Sequence, residues 1–365
     1  MTATRVCDAL ICVRDLTKVF RTQRVHEGLW GALKSLVWRE TRETLAVDRM
    51  TFSLERGEIV GYIGANGAGK STTIKMLTGI LVPTSGEVRV AGFVPHRQRR
   101  QYVRQIGVVF GQRTQLWWDL AVVESFRLLG KIYEVPDAAF RRRMGELSDL
   151  LGLGEFLHTP VRKLSLGQRM RCDLAASLLH RPSILFLDEP TIGLDVLGKS
   201  QIRDFLRTLN EQEKVTILLT THDLAEIEKL CERIVIIDHG RKVFDGSLER
   251  LIETTIPRKR IIVDFERDPK PEEFADLMAR GVSFQRLQDY RGEFTFDRRT
   301  VAAGELINSI SACHTIRDLT IEEPGIEDVV KDIYAQRGLP SAGAEFLLAN
   351  GSADQQKNPQ VPNPT

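Results

Sequence analysis

The sequence predicts an α/β domain interrupted by a helical insert and followed by a small α+β module, and three observations carry that expectation. Short apolar runs at Ile184–Leu187, Thr216–Leu219 and Ile234–Ile237 have the length and composition of buried parallel strands. Residues from about Arg113 to His180 instead repeat apolar positions at helical spacing and end at Pro182. Near Pro257 the pattern changes to a strand at Ile261–Phe265, a helix at Pro271–Ala279, a hairpin at Phe284–Phe296, a helix at Gly304–Ser311 and a strand at Ile316–Ile321.

Taken in order, Ala9 to about Phe20 and Met50 to Ile63 alternate apolar and polar residues as strands do, and Ser71–Leu81 switches to helical spacing. The expected division is a large domain over residues 1–250 with its helical insert at about 113–180, the α+β module over 257–337, and a tail over 338–365. Pro, Ser, Ala, Asn and Gln dominate that tail, which is expected to be disordered because it cannot bury enough apolar surface to offset chain ordering.

A length of 365 residues exceeds what one core organises, in keeping with two domains. Apolar residues at 42% and charged residues at 27% describe an ordinary globular chain. Lys and Arg total 51 against 49 Asp and Glu, so a net charge of +2 gives no reason to expect a nucleic-acid partner. Cys7, Cys12, Cys172, Cys231 and Cys313 are odd in number and without metal-ligand spacing, and read as reduced thiols. Asp8, Arg14 and Asp15 interrupt the first apolar stretch, and no window holds eighteen uncharged apolar residues. A membrane role is therefore expected to run through a partner or a peripheral contact.

Gly64-Ala65-Asn66-Gly67-Ala68-Gly69-Lys70-Ser71 fits the phosphate-binding loop G-x-x-x-x-G-K-[ST] and lies between the strand Glu58–Ile63 and a helix, where that loop works. Small residues let successive N–H groups curl around phosphates, and the helix directs its positive end at them. Gly64, Asn66, Gly67, Ala68, Gly69, Lys70, Ser71 and Thr72 form the expected phosphate-binding set for ATP, with Lys70 on the β/γ-phosphates and the Ser71 hydroxyl on Mg²⁺. A plain helix-capping turn would not explain the Lys-Ser pair. Ile184–Leu187 then ends in Asp188 and Glu189, whose side chains point in different directions and take different tasks. Asp188 suits Mg²⁺ coordination, and Glu189 suits orienting or deprotonating an attacking water. Two acids after a strand would alone read as a solvated turn; the phosphate loop changes that.

Leu164-Ser165-Leu166-Gly167-Gln168 lies twenty-three residues before Asp188, counted from Ser165, and resembles the signature loop of ABC-family ATPases. Gln112 after the strand Ile106–Phe110, the D-loop Gly193-Leu194-Asp195 and His222 after Leu218–Thr221 stand in the order and spacing of that family, and the resemblance covers roughly Ala9 to Gly246. It implies a P-loop NTPase cassette with a RecA-like core, an antiparallel β subdomain and a helical signature subdomain, together with a small C-terminal α+β domain. It also implies that a second copy, or a homologous cassette, closes around two ATP molecules. Ser165, Gly167 and Gln168 would then face the γ-phosphate held by the partner, Asp195 would link the two sites, Gln112 would contact Mg²⁺ or water, and His222 would hold the γ-phosphate and attacking water. Leu166 departs from the family's commoner Gly and implies altered loop flexibility. Phe20 matches the aromatic that stacks on adenine, with 26–44 as an insertion.

Family members also act in translation and chromosome repair, but the single cassette without long coiled coils favours a transporter subunit at the inner, cytoplasmic face of the membrane. The chain further resembles drug, polysaccharide and lipid exporters with separate membrane permeases; a non-transport ABC ATPase regulating another assembly stays as the alternative. Glu189 argues against a catalytically weak nucleotide sensor. Trp117 and Trp118 follow Gln112, where such cassettes receive the permease, and burying each would gain about 4–6 kcal/mol from ~150–250 Å². The competing reading buries them in the helical insert. Gly28–Arg39 is amphipathic, with Leu29, Leu33, Leu36 and Val37 on one face, and His96–Arg104 reads as a solvated basic run.

Overall fold

The computed structural model describes residues 9–23, 41–111, 113–221, 223–255, 258–297, 299–322 and 329–330. Gln112, His222, the stretch Gly28–Arg39 and the tail over 338–365 lie outside these residues. The described chain divides after Gly246 into two compact units.

The first unit opens with β1 (Ile11–Gln23), β2 (Thr41–Leu54), β3 (Ile59–Gly64), α1 (Lys70–Leu77), β4 (Ser85–Val90), α2 (Arg99–Tyr102) and β5 (Ile106–Phe110). Then come α3 (Val122–Ile132), α4 (Asp137–Leu151), α5 (Leu166–Leu178), β6 (Ile184–Asp188), α6 (Val196–Glu213), β7 (Thr216–Thr220), α7 (Leu224–Leu230), β8 (Arg233–Asp238) and β9 (Arg241–Ser247). A six-stranded sheet has the order β5-β6-β7-β3-β8-β9, and its pairs β5–β6, β6–β7, β7–β3 and β3–β8 run parallel. Its central strands are mostly apolar, as strands covered on both faces are; every residue of β7 is buried, its terminal Thr216 and Thr220 included. A three-stranded antiparallel sheet, β2-β1-β4, stands beside it. One core joins the two sheets: Ile11, Leu16, Met50 and Val88 from the small sheet, Ile74 and Leu77 from α1, and Tyr62, Phe186 and Leu218 from the large one.

Two boundaries differ from the sequence expectation. The α1 helix stops at Leu77 although apolar residues continue to Leu81, because Gly79 N–H bonds to the Met76 carbonyl and Ile80 N–H to the Lys75 carbonyl. That pair of bonds is a Schellman closure, which satisfies the last carbonyls and turns the chain away. The helical insert begins at Val122 and not near Arg113, since residues 113–121 make turns and an isolated bridge between Arg113 and Phe110. The basic run His96–Arg104 is only partly solvated: the Tyr102 ring is buried and its hydroxyl donates to the Leu77 carbonyl.

The second unit contains α8 (Leu248–Thr255), β10 (Arg258–Phe265), α9 (Ala275–Ala279), β11 (Ser283–Gln288), β12 (Arg291–Asp297), α10 (Ala303–Cys313) and β13 (Ile316–Glu322). Its sheet has the order β11-β12-β10-β13 with every pair antiparallel, the β-α-β-β-α-β ferredoxin-like arrangement. Phe265, Phe274, Phe294 and Phe296 fill its core, with Phe274 and Phe294 meeting edge to face at 4.9 Å. Among the described residues no helix is long and apolar enough to cross a membrane.

Candidate active site

The loop between β3 and α1 is built around Lys70. The residue is 6% exposed, and its Nζ donates to the carbonyls of Gly64 at 2.6 Å and Ala65 at 3.1 Å. Burial pushes the ammonium pKa down, while the charges of Glu189 and Asp188 pull it back up, so the lysine and both strand-end acids share one local field. Gly69 adopts φ +103°, and a Cβ there would press on the Ala46 carbonyl; only glycine lets the loop turn this closely into α1. Ser71 and Thr72 follow, half-buried in the first turn. Thr73 donates to the Gly69 carbonyl at 3.0 Å and accepts the Tyr62 hydroxyl at 3.2 Å, which fixes that turn from below.

The acids stand at the tip of β6. Asp188 Oδ1 accepts the Thr220 hydroxyl at 2.6 Å, and the Glu189 N–H donates to the Thr220 carbonyl at 3.0 Å and hydroxyl at 3.2 Å. Glu189 itself sits in the left-handed region at φ +55°. That conformation costs a non-glycine residue about 1–2 kcal/mol and persists only where the surroundings impose it. Gly111, at the end of β5, donates to the Asp188 carbonyl at 2.8 Å, and any side chain there would collide with the Glu189 carbonyl.

The signature residues occupy a different place. Ser165 caps α5: its hydroxyl accepts the Gln168 N–H at 3.2 Å, and the Gln168 side chain accepts the Ser165 N–H at 2.9 Å, a complete capping box. Asp195 caps α6 with its side chain alone, accepting the Gly198 N–H at 2.7 Å. The two helix starts line one groove of about 500 Å³ that includes Ser165, Gly167, Gln168, Gly193 and Asp195. Leu166 lies against Gly193, where a Cβ would meet its methyl at 2.7 Å. The residue that replaces the commoner glycine thus packs the signature loop on the D-loop.

The family model described as ABC transporter matches residues 47–192. The ABC transporter ATP-binding protein NatA of Bacillus subtilis is 34% identical over 209 residues, which is 57% of this chain and 85% of that one. The chain belongs to the ABC transporter ATP-binding family. The Nod factor export ATP-binding protein I of Ralstonia nicotianae is 40% identical over 58% of this chain, and the match spans 65% of that protein. Among solved structures, a dimeric post-hydrolysis state of the ATP-binding cassette MJ0796 bound to ADP and Pi superposes with TM-score 0.55 at 25% identity, over 65% of this chain and 98% of that one. The fold is that of an ABC cassette and the chain is an ATPase.

Within this ABC cassette, the structure brings the phosphate loop and the paired acids together and gathers the signature and D-loop residues in a groove of their own. Phe20 lies on β1 opposite Thr44, 36% exposed, with the Lys18 ammonium 5.3 Å from its ring centre. Trp117 and Trp118 are 39% and 51% exposed, so they do not fill the core of the helical insert; the Arg169 guanidinium sits 5.7 Å from the Trp118 ring. Thr220, Thr191 and Glu226 escaped the sequence reading. Only the Thr220-Thr221 doublet at the end of an apolar strand hinted at hydroxyls beside the acids.

Proposed function

We propose that this chain is the ATP-hydrolysing motor of an export system whose membrane-spanning permease is a separate protein, and that two cassettes close around two ATP molecules. The observation that carries the reading is Lys70, buried in the glycine-rich loop between β3 and α1 with its ammonium on the Gly64 and Ala65 carbonyls, and within electrostatic reach of Asp188 and Glu189 at the tip of the buried strand β6. Gly64, Asn66, Gly67, Ala68 and Gly69 would cradle the phosphates with backbone N–H groups, helped by Thr72 in the first turn of α1. Lys70 would leave the Gly64 and Ala65 carbonyls for the β/γ-phosphates. Phe20 offers an exposed aromatic face to adenine.

The residues fit Mg²⁺, since the Ser71 hydroxyl and the Asp188 carboxylate are hard oxygen donors and Thr220 already orients Asp188. Gln112 would join them by its place in the sequence. When bound, the cation neutralises charge on the β- and γ-phosphates. Glu189 orients the attacking water and accepts its proton, with His222 holding the γ-phosphate. The left-handed backbone of Glu189, held by Thr220 and lying so close to position 111 that only glycine fits there, supports that role, because phosphoryl transfer depends on positioning.

Ser165, Gly167, Gln168 and Asp195 line a groove with each other and not with the phosphate loop, which supports their acting on the nucleotide of a second cassette. The exposed Trp117 and Trp118 supply the permease contact, and placement at the inner face of the membrane follows from it. Export is drawn from the Nod factor relative. A tagged copy recovered from gently solubilised host membranes should bring a multi-span protein with it, less of it in a Trp117→Ala, Trp118→Ala variant. Recovery only from the soluble fraction, with a ribosomal or chromosomal partner, would overturn the transport reading and leave the ATPase standing.

A further inference from the structure

A second polar network lies behind the acids. Glu226, in the first turn of α7, is 6% exposed. Its Oε2 accepts the Thr191 hydroxyl at 2.6 Å and the Thr221 hydroxyl at 3.3 Å, while its Oε1 is buried with no hydrogen-bond partner. Thr221 in turn accepts the Asp223 N–H at 3.0 Å. Asp223 caps α7 through the Glu226 N–H and accepts the Lys199 ammonium at 2.6 Å. Thr191 and Lys199 stand four residues before and four residues after Asp195. The D-loop is therefore fastened at both ends to the first turn of α7, the turn that follows position 222.

A carboxyl at this depth is costly, and burial raises its pKa. Leucine would fill the same space without an unpartnered oxygen, so packing alone does not account for the residue. We propose that Glu226 is a positioning residue for ATP hydrolysis: it ties Thr191, which leads in sequence to Asp195, to Thr221, which precedes His222 in sequence, so that the two residues act together. The inference rests on the roles proposed above for those two residues. It also reaches Glu189, whose carbonyl accepts the Ile192 N–H at 3.4 Å and whose N–H is held by Thr220.

Steady-state ATP hydrolysis by the full chain tests this in Glu226→Leu, Glu226→Gln, Thr191→Val and the Thr191→Val, Glu226→Leu double variant, with the melting temperature of each. Loss of the tie should lower kcat ~10–10²-fold in Glu226→Leu, the range for a small misplacement of reacting groups, with KM for ATP and the melting temperature little changed. Thr191→Val should lose as much, and the double variant no more than either single change, because all three break one link. Glu226→Gln should stay within about 3-fold of wild type, since its amide oxygen still accepts both hydroxyls. An unchanged kcat in Glu226→Leu, multiplicative losses in the double variant, or a Gln variant as impaired as Leu would each overturn the proposal. If Glu226→Leu does not fold, Thr191→Val decides: a normal kcat there overturns the tie and a selective loss upholds it. An inactive wild type would count against the ATPase assignment and not against this link.

Discussion

Gly111 and Glu189 approach so closely across the tips of β5 and β6 that a Cβ at position 111 would overlap the Glu189 carbonyl oxygen. The Glu189 backbone is left-handed, and Thr220 grips it from the other side. Replacing Gly111 by alanine should push Glu189 away from its position while leaving the phosphate loop, on different elements, intact. Hydrolysis should fall by more than ~10-fold with ATP binding retained. Separate measurement of kcat and nucleotide affinity checks this; an unchanged kcat would show that the close approach has no bearing on catalysis.

Asp173 supplies a pH dependence. It is buried on α5 and accepts the Thr114 hydroxyl at 2.9 Å and the Gln115 N–H at 3.0 Å, joining the segment after β5 to the helix that begins at Ser165. Burial pushes its carboxyl up to about 6, and the two hydrogen bonds only partly offset that. The folded chain therefore holds a proton on Asp173 that the unfolded chain, at ~3.9, has released. This group's stabilisation is full below the unfolded value and is lost as pH rises through 6, in all about 3 kcal/mol. Asn keeps the acceptor and removes the titration. Relative to wild type, the unfolding free energy of Asp173→Asn should rise from pH 4 to 6 and level off above 7; parallel curves in urea would contradict it.

Arg143 should prove the most sensitive polar residue of the helical insert. It is buried in α4; its Nε donates to the Leu178 carbonyl at 3.1 Å, and its two terminal nitrogens fork onto Glu213 at the end of α6. Arg143→Met would leave Glu213 without its main partner and a carbonyl without its donor. The expected loss is about 3 kcal/mol, read as a lower denaturant midpoint. A loss under ~1 kcal/mol would show that the ion pair only offsets its own desolvation.

The parts legible in the sequence were those encoded locally. The phosphate loop, the apolar strand Ile184–Leu187 with its two acids, and the capped start at Ser165 each announce themselves within a dozen residues. The ferredoxin-like order of the second unit was hidden because its strands are short and identify their neighbours only once paired. The end of α1 is not legible locally, because apolar spacing continues through Leu81 while the chain closes at Gly79 by backbone hydrogen bonds. Thr220, Glu226 and Asp173 act through contacts thirty or more residues away, Glu226 with Thr191 and Asp173 with Thr114 among them, and no local pattern marks such partners.

In the proposed mechanism Glu189 activates water while Lys70 and its loop hold the nucleotide. Glu189→Gln keeps the shape of the side chain and removes the proton acceptor. Hydrolysis by purified Glu189→Gln and wild type, measured together with ATP binding and with the molecular mass in the presence of ATP, tests it directly. The expected result is a ~10²–10⁴-fold fall in kcat, undiminished ATP affinity and accumulation of an ATP-bound dimer. Hydrolysis at the wild-type rate would contradict it and move the base to another residue.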